Sequence, residues 1–480
     1  MSDETEISTG QTPDQFDLVI RGGRIATASD VFDADIGILD GRIVALGQAL
    51  SKGLREVDAR GKLVLPGGVD AHCHFDQPSA DGSRMADDFD SGPRSAAFGG
   101  TTTVIPFACQ QKGQSLRAAV EDYHARAKGK SVIDYAFHLI VTDPTAQVIG
   151  QELPALIREG YSSFKIYTTY DDLKLDDRQI LEVLALARRE GALTMIHAEN
   201  SDIISWLTEA LEQDGKTAPR FHSAARPAVA EREATHRAIS LAEIVDVPML
   251  VVHVSGGEAM EQIAAARARG LRVFGETCPQ YLFLTADDLD LRGFEGAKHI
   301  CSPPPRDRAS QESVWHGLAN GTFQVFSSDH APFRYDDTTG KKLRGENASF
   351  MHVPNGIPGV ETRLPLLFSE GVGKGRISLQ QFVALTSTNP ARLYGLYPRK
   401  GTIAVGADAD LVVWDSTREV TIQNEDLHHN VDYTPYEGYE VTGWPQIVFS
   451  GGNVVVENGE LIAKAGDGKF LECGTPDILL

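Results

Sequence analysis

Six polar side chains lie in or directly after apolar, strand-like runs, and their chemical types suit a divalent metal ion. His72 and His74 are two residues apart in the run LVLPGGVDAHCHF, so an extended chain points both imidazoles to the same side. Later runs contribute, in chain order, Lys165, His197, His253 and Asp329. Imidazoles combined with an aspartate suit a borderline-soft ion such as zinc. One His-x-His pair alone is weak evidence, but the whole set predicts a metal centre.

Each of these residues also has an ordinary structural explanation. A single histidine at a strand end is more often a hydrogen-bonded core residue than a ligand. Asp329 could cap a helix, and Lys165 could reach solvent from its apolar run. For any residue taken alone, the ordinary explanation is the better one. The metal centre is favoured because such residues occur together at five strand ends of one predicted barrel.

Lys165 requires a separate explanation, because an ammonium repels a cation. A buried lysine can lose its proton and react with carbon dioxide. The resulting carbamate is anionic and offers two oxygens, so it can bridge two metal ions. Such ions would lie about 3.5–4 Å apart and share a hydroxide. Physical chemistry permits this modification at Lys165 but does not require it.

Eight apolar, β-branched runs must position these side chains. They cover residues 63–75, 101–109, 134–142, 162–170, 192–200, 248–256, 272–278 and 323–333. Helix-like stretches such as 176–191 and 258–270 separate most of them, and this alternation indicates parallel strands. Eight such units predict a (β/α)₈ barrel of the TIM type, although the pattern alone also allows an open doubly wound sheet. In a barrel, active sites lie at the carboxyl ends of the strands, where the six side chains would converge.

The sequence pattern at the two ends of the chain differs from that of the eight runs, because it indicates short strands separated by glycine turns. Residues 17–65 contain an Asp-Gly hairpin signal at 40–41, and similar runs return at 409–415 and 446–462. We therefore expect residues 16–66 and 400–465 to form one small β-sandwich domain and residues 67–399 to form the barrel. Residues 1–15 are predicted to be a disordered tail and residues 466–480 a C-terminal tail.

The composition of the chain limits its possible binding partners and its expected cellular location. The chain has 480 residues and a formal net charge of −22, which argues against nucleic acid or an anionic membrane as a partner. We find no run of about 18 apolar residues and no signal-like N-terminus, so we expect neither a membrane span nor export. The cysteines are five and scattered, which favours reduced thiols and a cytoplasmic protein.

Ordered motifs from residue 17 to about 460 carry a resemblance to a known family. They are PGGVDAHCHFD, DDFDSGPRSAAFGGTTTVI, SSFKIYTTY, IHAEN, HVSGGEA, GETCPQYL, CSPPPR, SSDHAPF, PNGIPGVETRLPLL, TSTNPAR, KGTIAVGADADLVVWD and NVDYTPYEG. With them the chain resembles the dihydropyrimidinases and hydantoinases, the cyclic amidohydrolases of the amidohydrolase superfamily. The resemblance implies a hydrolase that opens dihydropyrimidines or 5-substituted hydantoins to N-carbamoyl amino acids. It also implies a homotetramer.

The resemblance assigns a role to each residue of the metal set. His72, His74 and Asp329 would hold one zinc ion, and the remaining histidines, His197 and His253, would hold a second. Carboxylated Lys165 would bridge the two ions. Asp329 would also move a proton from the nucleophile to the leaving nitrogen.

Three further residues are assigned to the substrate by the same resemblance. Tyr170 would donate a hydrogen bond to the oxyanion, and Ser302 and Asn355 would hold the ring amide, largely through backbone groups. The ordinary explanations are that Tyr170 only packs, that Ser302 only turns the chain before Pro303, and that Asn355 only serves an Asn-Gly turn.

The chain departs from the family pattern around the ring substituent. The turn after the first run is long and polar, DQPSADGSRM, the segment after Lys165 reads YTTYDDLKL, and Pro305 replaces a leucine. We expect the loop Gln77–Met85 to accept a polar or anionic substituent, with Arg84 meeting a carboxylate; the alternative is a solvated loop with Arg84 in water.

Two other enzyme activities and one non-enzymatic function are alternatives to this interpretation. A cyclic imide hydrolase and an allantoinase-like enzyme are the alternatives, although Asp76 stands where allantoinases carry Asn and dihydroorotases carry Arg. A non-catalytic scaffold related to dihydropyrimidinase is the alternative from another class. It is disfavoured because scaffolds of that kind have lost metal ligands, whereas all six ligand positions are filled here.

Overall fold

The computed structural model describes residues 15–79, 81–336 and 338–479. The predicted N-terminal tail lies outside these residues, except for Gln15. The strands, in chain order, are β1 (Phe16–Ala26), β2 (Val31–Leu39), β3 (Arg42–Gly47), β4 (Gly53–Asp58), β5 (Leu63–Pro66), β6 (Gly68–Cys73), β7 (Thr101–Cys109), β8 (Asp134–Tyr135), β9 (His138–Ile140), β10 (Ser163–Tyr167), β11 (Leu193–His197), β12 (Met249–Val251), β13 (Val273–Thr277), β14 (Val325–Phe326), β15 (Leu411–Thr421), β16 (Glu440–Ser450), β17 (Asn453–Glu457) and β18 (Glu460–Leu461).

Helices connect the strands and cover the sheet. They are α1 (Ser91–Phe98), α2 (Leu116–Ala127), α3 (Leu153–Arg158), α4 (Asp177–Glu190), α5 (Ser201–Gln213), α6 (Phe221–Ala225), α7 (Ala228–Val245), α8 (Gly257–Ala268), α9 (Gln280–Phe283), α10 (Arg308–Ala319), α11 (Arg363–Leu367), α12 (Leu379–Val383) and α13 (Asn389–Leu393). Short 3₁₀ turns cover Ala286–Leu289, Glu295–His299, Phe350–His352 and Asn424–Asp426, and π-helical turns cover Val148–Glu152, Phe368–Val372 and Ala384–Thr388.

The helix α4 shows how the sequence sets these boundaries. Asp176 and Gln179 form a capping box at its start, and Gly191 ends it with a left-handed backbone, φ 71°. Ile180, Val183, Leu184, Leu186 and Ala187 are buried, so the apolar face of the helix packs against the core.

The strand order of the central sheet is β6, β7, β9, β10, β11, β12, β13, β14, and every neighbouring pair is parallel. The short strand β8 also pairs with β7. The two ends of the central sheet meet at a seam between β6 and the residues that follow β14. The backbone N–H of Asp329 donates to the carbonyl of His72 at 2.9 Å, and the N–H of His74 donates to the carbonyl of His330 at 2.8 Å. Buried Arg363 lies at the same seam, where its Nη1 donates to the carbonyl of Phe326 at 2.7 Å. The predicted barrel is therefore confirmed, and the open sheet is excluded.

The first apolar run divides between two sheets, at the point where the sequence predicts the boundary between residues 16–66 and 67–399. Its first part, β5, pairs with β1 and β15 in the second sheet, and its second part, β6, begins the barrel. Gly67 joins the two parts, and a Cβ at this position would meet Thr102 Oγ1 at 2.0 Å. The close approach to Thr102 is therefore possible only for glycine.

The second sheet has the order β18-β17-β16-β15-β5-β1-β2-β3, with β4 on β1, and most of its pairs are antiparallel. Asp40 and Gly41 form the hairpin turn between β2 and β3, both with positive φ (49° and 73°), as the sequence predicts. One apolar cluster joins residues from both chain ends, among them Ile20, Ile36 and Val413. The predicted second β unit built from both ends of the chain is confirmed.

A buried ion cluster connects the second sheet to the barrel. Lys400 is 1% exposed, and its Nζ lies 2.6 Å from Asp134, 2.7 Å from Asp410 and 3.1 Å from Asp408. Asp134 belongs to β8, whereas Asp410 directly precedes β15. One ammonium therefore joins carboxylates from both sheets.

The C-terminal segment packs on the barrel. The N–H of Leu471 donates to the carbonyl of Tyr135 at 2.7 Å, and Leu471 and Cys473 are buried. All five cysteines are buried and none forms a disulfide. Among the helices of the described residues, none is long and apolar enough to cross a membrane.

Candidate active site

The barrel seam brings three of the predicted ligands together. Asp329 Oδ1 lies 3.1 Å from His72 Nε2 and 3.5 Å from His74 Nε2. The ligand atoms of these three residues all lie within 4.8 Å of one another and could hold a metal ion. Their proximity follows from the seam, because its backbone hydrogen bonds join the ends of β6 and β14 at these residues.

The three remaining members of the set border the same point. Lys165, in β10, places its Nζ 2.9 Å from His72 Nε2. The ring centroids of His197 and His253 are 4.5 Å apart, and those of His72 and His253 are 5.3 Å apart. All of these side chains are buried. The structure therefore brings the six predicted residues together at the carboxyl end of the barrel.

Left-handed backbone conformations occur at this site in residues other than glycine. His253, Asp329 and Tyr170 have φ values of 39°, 49° and 68°. Such values are uncommon for non-glycine residues and are retained where the surrounding structure enforces them. Each of the three residues lies two or three positions after a barrel strand and lines the cavity.

Burial lowers the pKa of four of the six residues. It lowers the pKa of Lys165 to about 8, so a neutral amine is accessible near physiological pH. Burial also lowers the pKa values of His74, His197 and His253, which favours neutral imidazoles with a free lone pair. His253 Nδ1 is buried and finds no hydrogen-bond partner among the described residues. An unsatisfied buried nitrogen within a set of imidazoles and a carboxylate fits a divalent ion.

Two buried glutamates contact histidines of this set, and the sequence pattern did not reveal them. Glu276 Oε1 lies 2.6 Å from His72 Nδ1 and accepts the backbone N–H of His253 at 3.1 Å. Glu199 Oε2 lies 2.8 Å from His197 Nε2. Carboxylate partners of this kind fix the orientation of a metal-binding imidazole. The available signal was their position within GETC and IHAEN, two of the motifs that carry the family resemblance.

Arg226 is a further residue that the sequence did not reveal. Its Nη1 donates to Glu199 Oε2 at 2.6 Å, and its guanidinium lies 5.2 Å from the ring centroid of Tyr170. Burial opposes the ionisation of Glu199, but Arg226 and His197 lower the pKa of this carboxyl to about 2. Arg226 therefore contacts Tyr170 and also Glu199, the partner of His197.

The three predicted substrate residues also lie together. The hydroxyl of Tyr170 lies near the side chains of Ser302 and Asn355, and burial raises the pKa of this hydroxyl. All three residues line a cavity of about 350 Å³, together with His74, Lys165, His197, His253 and Asp329. The cavity is large enough for a substituted five- or six-membered ring.

The polar loop after β6 lines the cavity with Gln77, Pro78, Ser79, Asp81, Ser83 and Met85. Arg84 is exposed and is not among the lining residues. Its backbone N–H donates to the carbonyl of Thr339. The structure therefore favours the solvated alternative for Arg84, and the expectation that Arg84 meets a substrate carboxylate loses its support.

The sequence of this chain matches a known family. The match to the amidohydrolase family spans residues 63–455. The chain belongs to the amidohydrolase family. The resemblance inferred from the motifs is thereby confirmed.

Relatives of this amidohydrolase cover almost its full length. The D-hydantoinase of Geobacillus stearothermophilus is 47% identical over 457 residues, which are 95% of this chain and 96% of that protein. The D-hydantoinase of Rhizobium radiobacter is 44% identical over 455 residues, 95% of this chain and 98% of that protein. The solved dihydropyrimidinase of Brevibacillus agri superposes with a TM-score of 0.92 at 44% identity, covering 95% of this chain and 99% of its own.

Proposed function

We propose that this amidohydrolase opens the cyclic amide bond of 5-substituted hydantoins or dihydropyrimidines and releases N-carbamoyl amino acids. The observation that carries the proposal is that five residues of the metal set line one cavity with Tyr170, Ser302 and Asn355. The sixth, His72, contacts Lys165 and Asp329 behind them. The names of the full-length relatives, D-hydantoinase and dihydropyrimidinase, support the same reaction. The complete metal set also disfavours a non-catalytic scaffold.

Two divalent ions, zinc by preference, would fit the donors. His72, His74 and Asp329 would hold one ion, His197 and His253 the other, and Lys165 in its carboxylated form would bridge them. When bound, the ions would activate water and polarise the amide carbonyl.

The residues of the chain would supply the remaining steps. Asp329 would take the proton from the attacking water and deliver it to the ring nitrogen as the C–N bond breaks. Gln280 Nε2 lies 3.3 Å from Asp329 Oδ2 and would hold this carboxylate in place. Tyr170 would donate its O–H to the developing oxyanion, while Ser302 and Asn355 would orient the ring amide.

A hydrolysis panel with metal analysis tests the proposal. The panel holds hydantoin, 5-phenylhydantoin, dihydrouracil, succinimide, phthalimide, allantoin and dihydroorotate. We expect hydrolysis of hydantoins or dihydrouracil and two divalent ions per chain. Exclusive hydrolysis of the imides or of allantoin would replace this function by the corresponding alternative. An active protein with one ion or none would contradict the two-ion site.

A lysine variant tests the bridge. Lys165→Ala should lose metal and activity together, and a short carboxylic acid should restore part of both, because it can take the place of the carbamate. Lys374→Ala, which changes an exposed lysine, is the matched control and should behave as the wild type. Full activity of Lys165→Ala without added acid would rule the bridge out.

Three further features are part of the proposal. We infer a homotetramer, a cytoplasmic location and a division into a barrel unit of residues 67–399 and a small unit of residues 16–66 and 400–465. Light scattering should give about four times the chain mass of 52.0 kDa. A scattering mass of one chain would contradict the tetramer, and limited proteolysis that cuts within 67–399 before its ends would contradict the division.

A further inference from the structure

Lys341 is a fully buried lysine outside the metal set. It lies in the long connection that follows β14, and its side chain is 0% exposed. Its Nζ donates to the carbonyl of Ile300 at 2.8 Å and to the carbonyl of Pro354 at 2.7 Å. Burial lowers the pKa of Lys341 to about 7, as expected for an amine held largely by neutral carbonyls.

The two carbonyls belong to the two segments that carry the proposed amide-binding residues. Ile300 lies two residues before Ser302, and Pro354 directly precedes Asn355. A second bond joins the same segments, because the N–H of Gly356 donates to the carbonyl of Ile300 at 3.0 Å. Lys341 and this bond thus fix the spacing between Ser302 and Asn355.

Gly356 shows how closely these segments are packed. Its φ is 146°, and a Cβ there would lie 2.4 Å from the Cβ of Ala331, another residue of the cavity wall. The segment that carries Asn355 therefore has little room on that side. If the ammonium of Lys341 were removed, the segment of Asn355 could move away from the segment of Ser302 only on the side opposite Ala331.

Lys341 itself does not reach the cavity. It is absent from the residues that line it, and the ring centroid of Phe333, a lining residue, lies 5.9 Å from its Nζ. Any effect of Lys341 on the substrate must therefore pass through the backbone that it holds.

We propose that Lys341 is a positioning residue for substrate binding, which sets the distance between Ser302 and Asn355 by holding the carbonyls of Ile300 and Pro354. This inference rests on the proposed function, because it takes Ser302 and Asn355 as the residues that hold the ring amide. These contacts are made alike to the bound substrate and in the transition state, so loss of Lys341 should weaken binding more than it slows the chemical step.

The test compares Lys341→Met with Lys342→Met in the metal-loaded enzyme, with hydantoin or dihydrouracil as substrate. Methionine keeps the length of the apolar stem and removes the ammonium. Lys342 is the matched control because it is the next residue and pairs with Asp336 and Glu346 near the surface. For Lys341→Met we expect a KM about tenfold higher, a kcat within about twofold of the wild type, and unchanged metal content.

A second variant covers the case in which Lys341→Met does not fold. Lys341→Gln keeps an N–H donor, but the shorter side chain cannot reach both carbonyls, so its KM should also rise. A KM equal to that of Lys342→Met would overturn the proposal, as would a fall in kcat and metal content at unchanged KM. Loss of folding in both variants would also overturn it, by assigning Lys341 to stability. A wild-type protein inactive on every cyclic amide would overturn the proposed function, and this inference with it.

Discussion

Tyr170 combines a left-handed backbone with a buried hydroxyl beside Ser302 and Asn355. Tyr170→Phe removes only the hydroxyl and leaves the ring against His197, where the ring centroids are 5.4 Å apart. We expect kcat to fall by about 10²–10³ with unchanged metal content, because one oxyanion donor is lost. Steady-state kinetics with metal analysis measures both, and a kcat close to that of the wild type would show that Tyr170 only packs.

Glu199 should affect metal binding without touching the ion. Glu199→Gln keeps the shape of the side chain but removes the charge that orients His197 and pairs with Arg226. We expect metal affinity about 10–100-fold lower, the usual effect of losing such a partner. Competition with a chelator measures it. Glu258→Gln, which breaks the exposed pair with Arg232, is the control and should bind metal normally.

At the level of residues, the sequence predicted which side chains meet at the barrel end, but not the residues that hold them there. His72, His197 and Asp329 could be found because each follows a recognisable apolar run. Glu276 and Lys341 could not, because their partners are set by packing between distant parts of the chain: Glu276 reaches His72, and Lys341 reaches Ile300. Nothing in the spacing of a glutamate or lysine along one segment reveals such a contact.

The loop after β6 leads to a prediction about substrates that differs from the sequence-based expectation. Asp81 and Asp172 line the cavity, and among the described residues Lys165 is the only lysine or arginine that does so. Acidic substituents on the hydantoin ring would therefore meet negative charge. We expect a lower kcat/KM for a 5-carboxyethyl hydantoin than for its neutral 5-propyl analogue. Equal values or a preference for the acid would contradict this.

Arg84 supplies the matched control for that loop. Because its side chain is exposed and outside the cavity lining, Arg84→Ala should change kcat/KM for the acidic and neutral substrates equally and by less than about twofold. A selective loss with the acidic substrate would restore the interpretation that Arg84 binds a carboxylate.

At the level of elements, the eight runs gave the barrel correctly, but one run contains two strands. β5 and β6 lie in one buried run but belong to different sheets. Pairing partners far along the chain decide this, since β5 pairs with β15 and β6 with β7. The alternation of apolar runs does not contain that information, although the expected boundary after residue 66 falls between the two strands. The Asp40-Gly41 turn, which depends on local sequence alone, was predicted correctly.

The cluster around Lys400 joins the two sheets of the whole molecule. Lys400→Met would leave Asp134, Asp408 and Asp410 buried without their shared cation. Breaking a buried ion pair on one side typically costs about 3–5 kcal/mol of folding stability. Urea unfolding should show a loss of this size, and Lys374→Met should show none. A variant as stable as the wild type would mean that Arg399, which binds Asp408 at 2.8 Å, compensates for the lost ammonium.

The seam between β6 and β14 also determines at what point during synthesis the active site can be completed. His72 and His74 leave the ribosome early, but Asp329, whose carboxylate lies beside both imidazoles, is synthesised near the end of the barrel. A nascent or prematurely terminated polypeptide thus lacks one side of the ion site and the contact that closes it. We expect chains arrested before residue 327 to retain no zinc after gel filtration, whereas full-length chains load it, so that metal uptake reports a completed protein. Retention of zinc by the arrested chains would contradict this order of events.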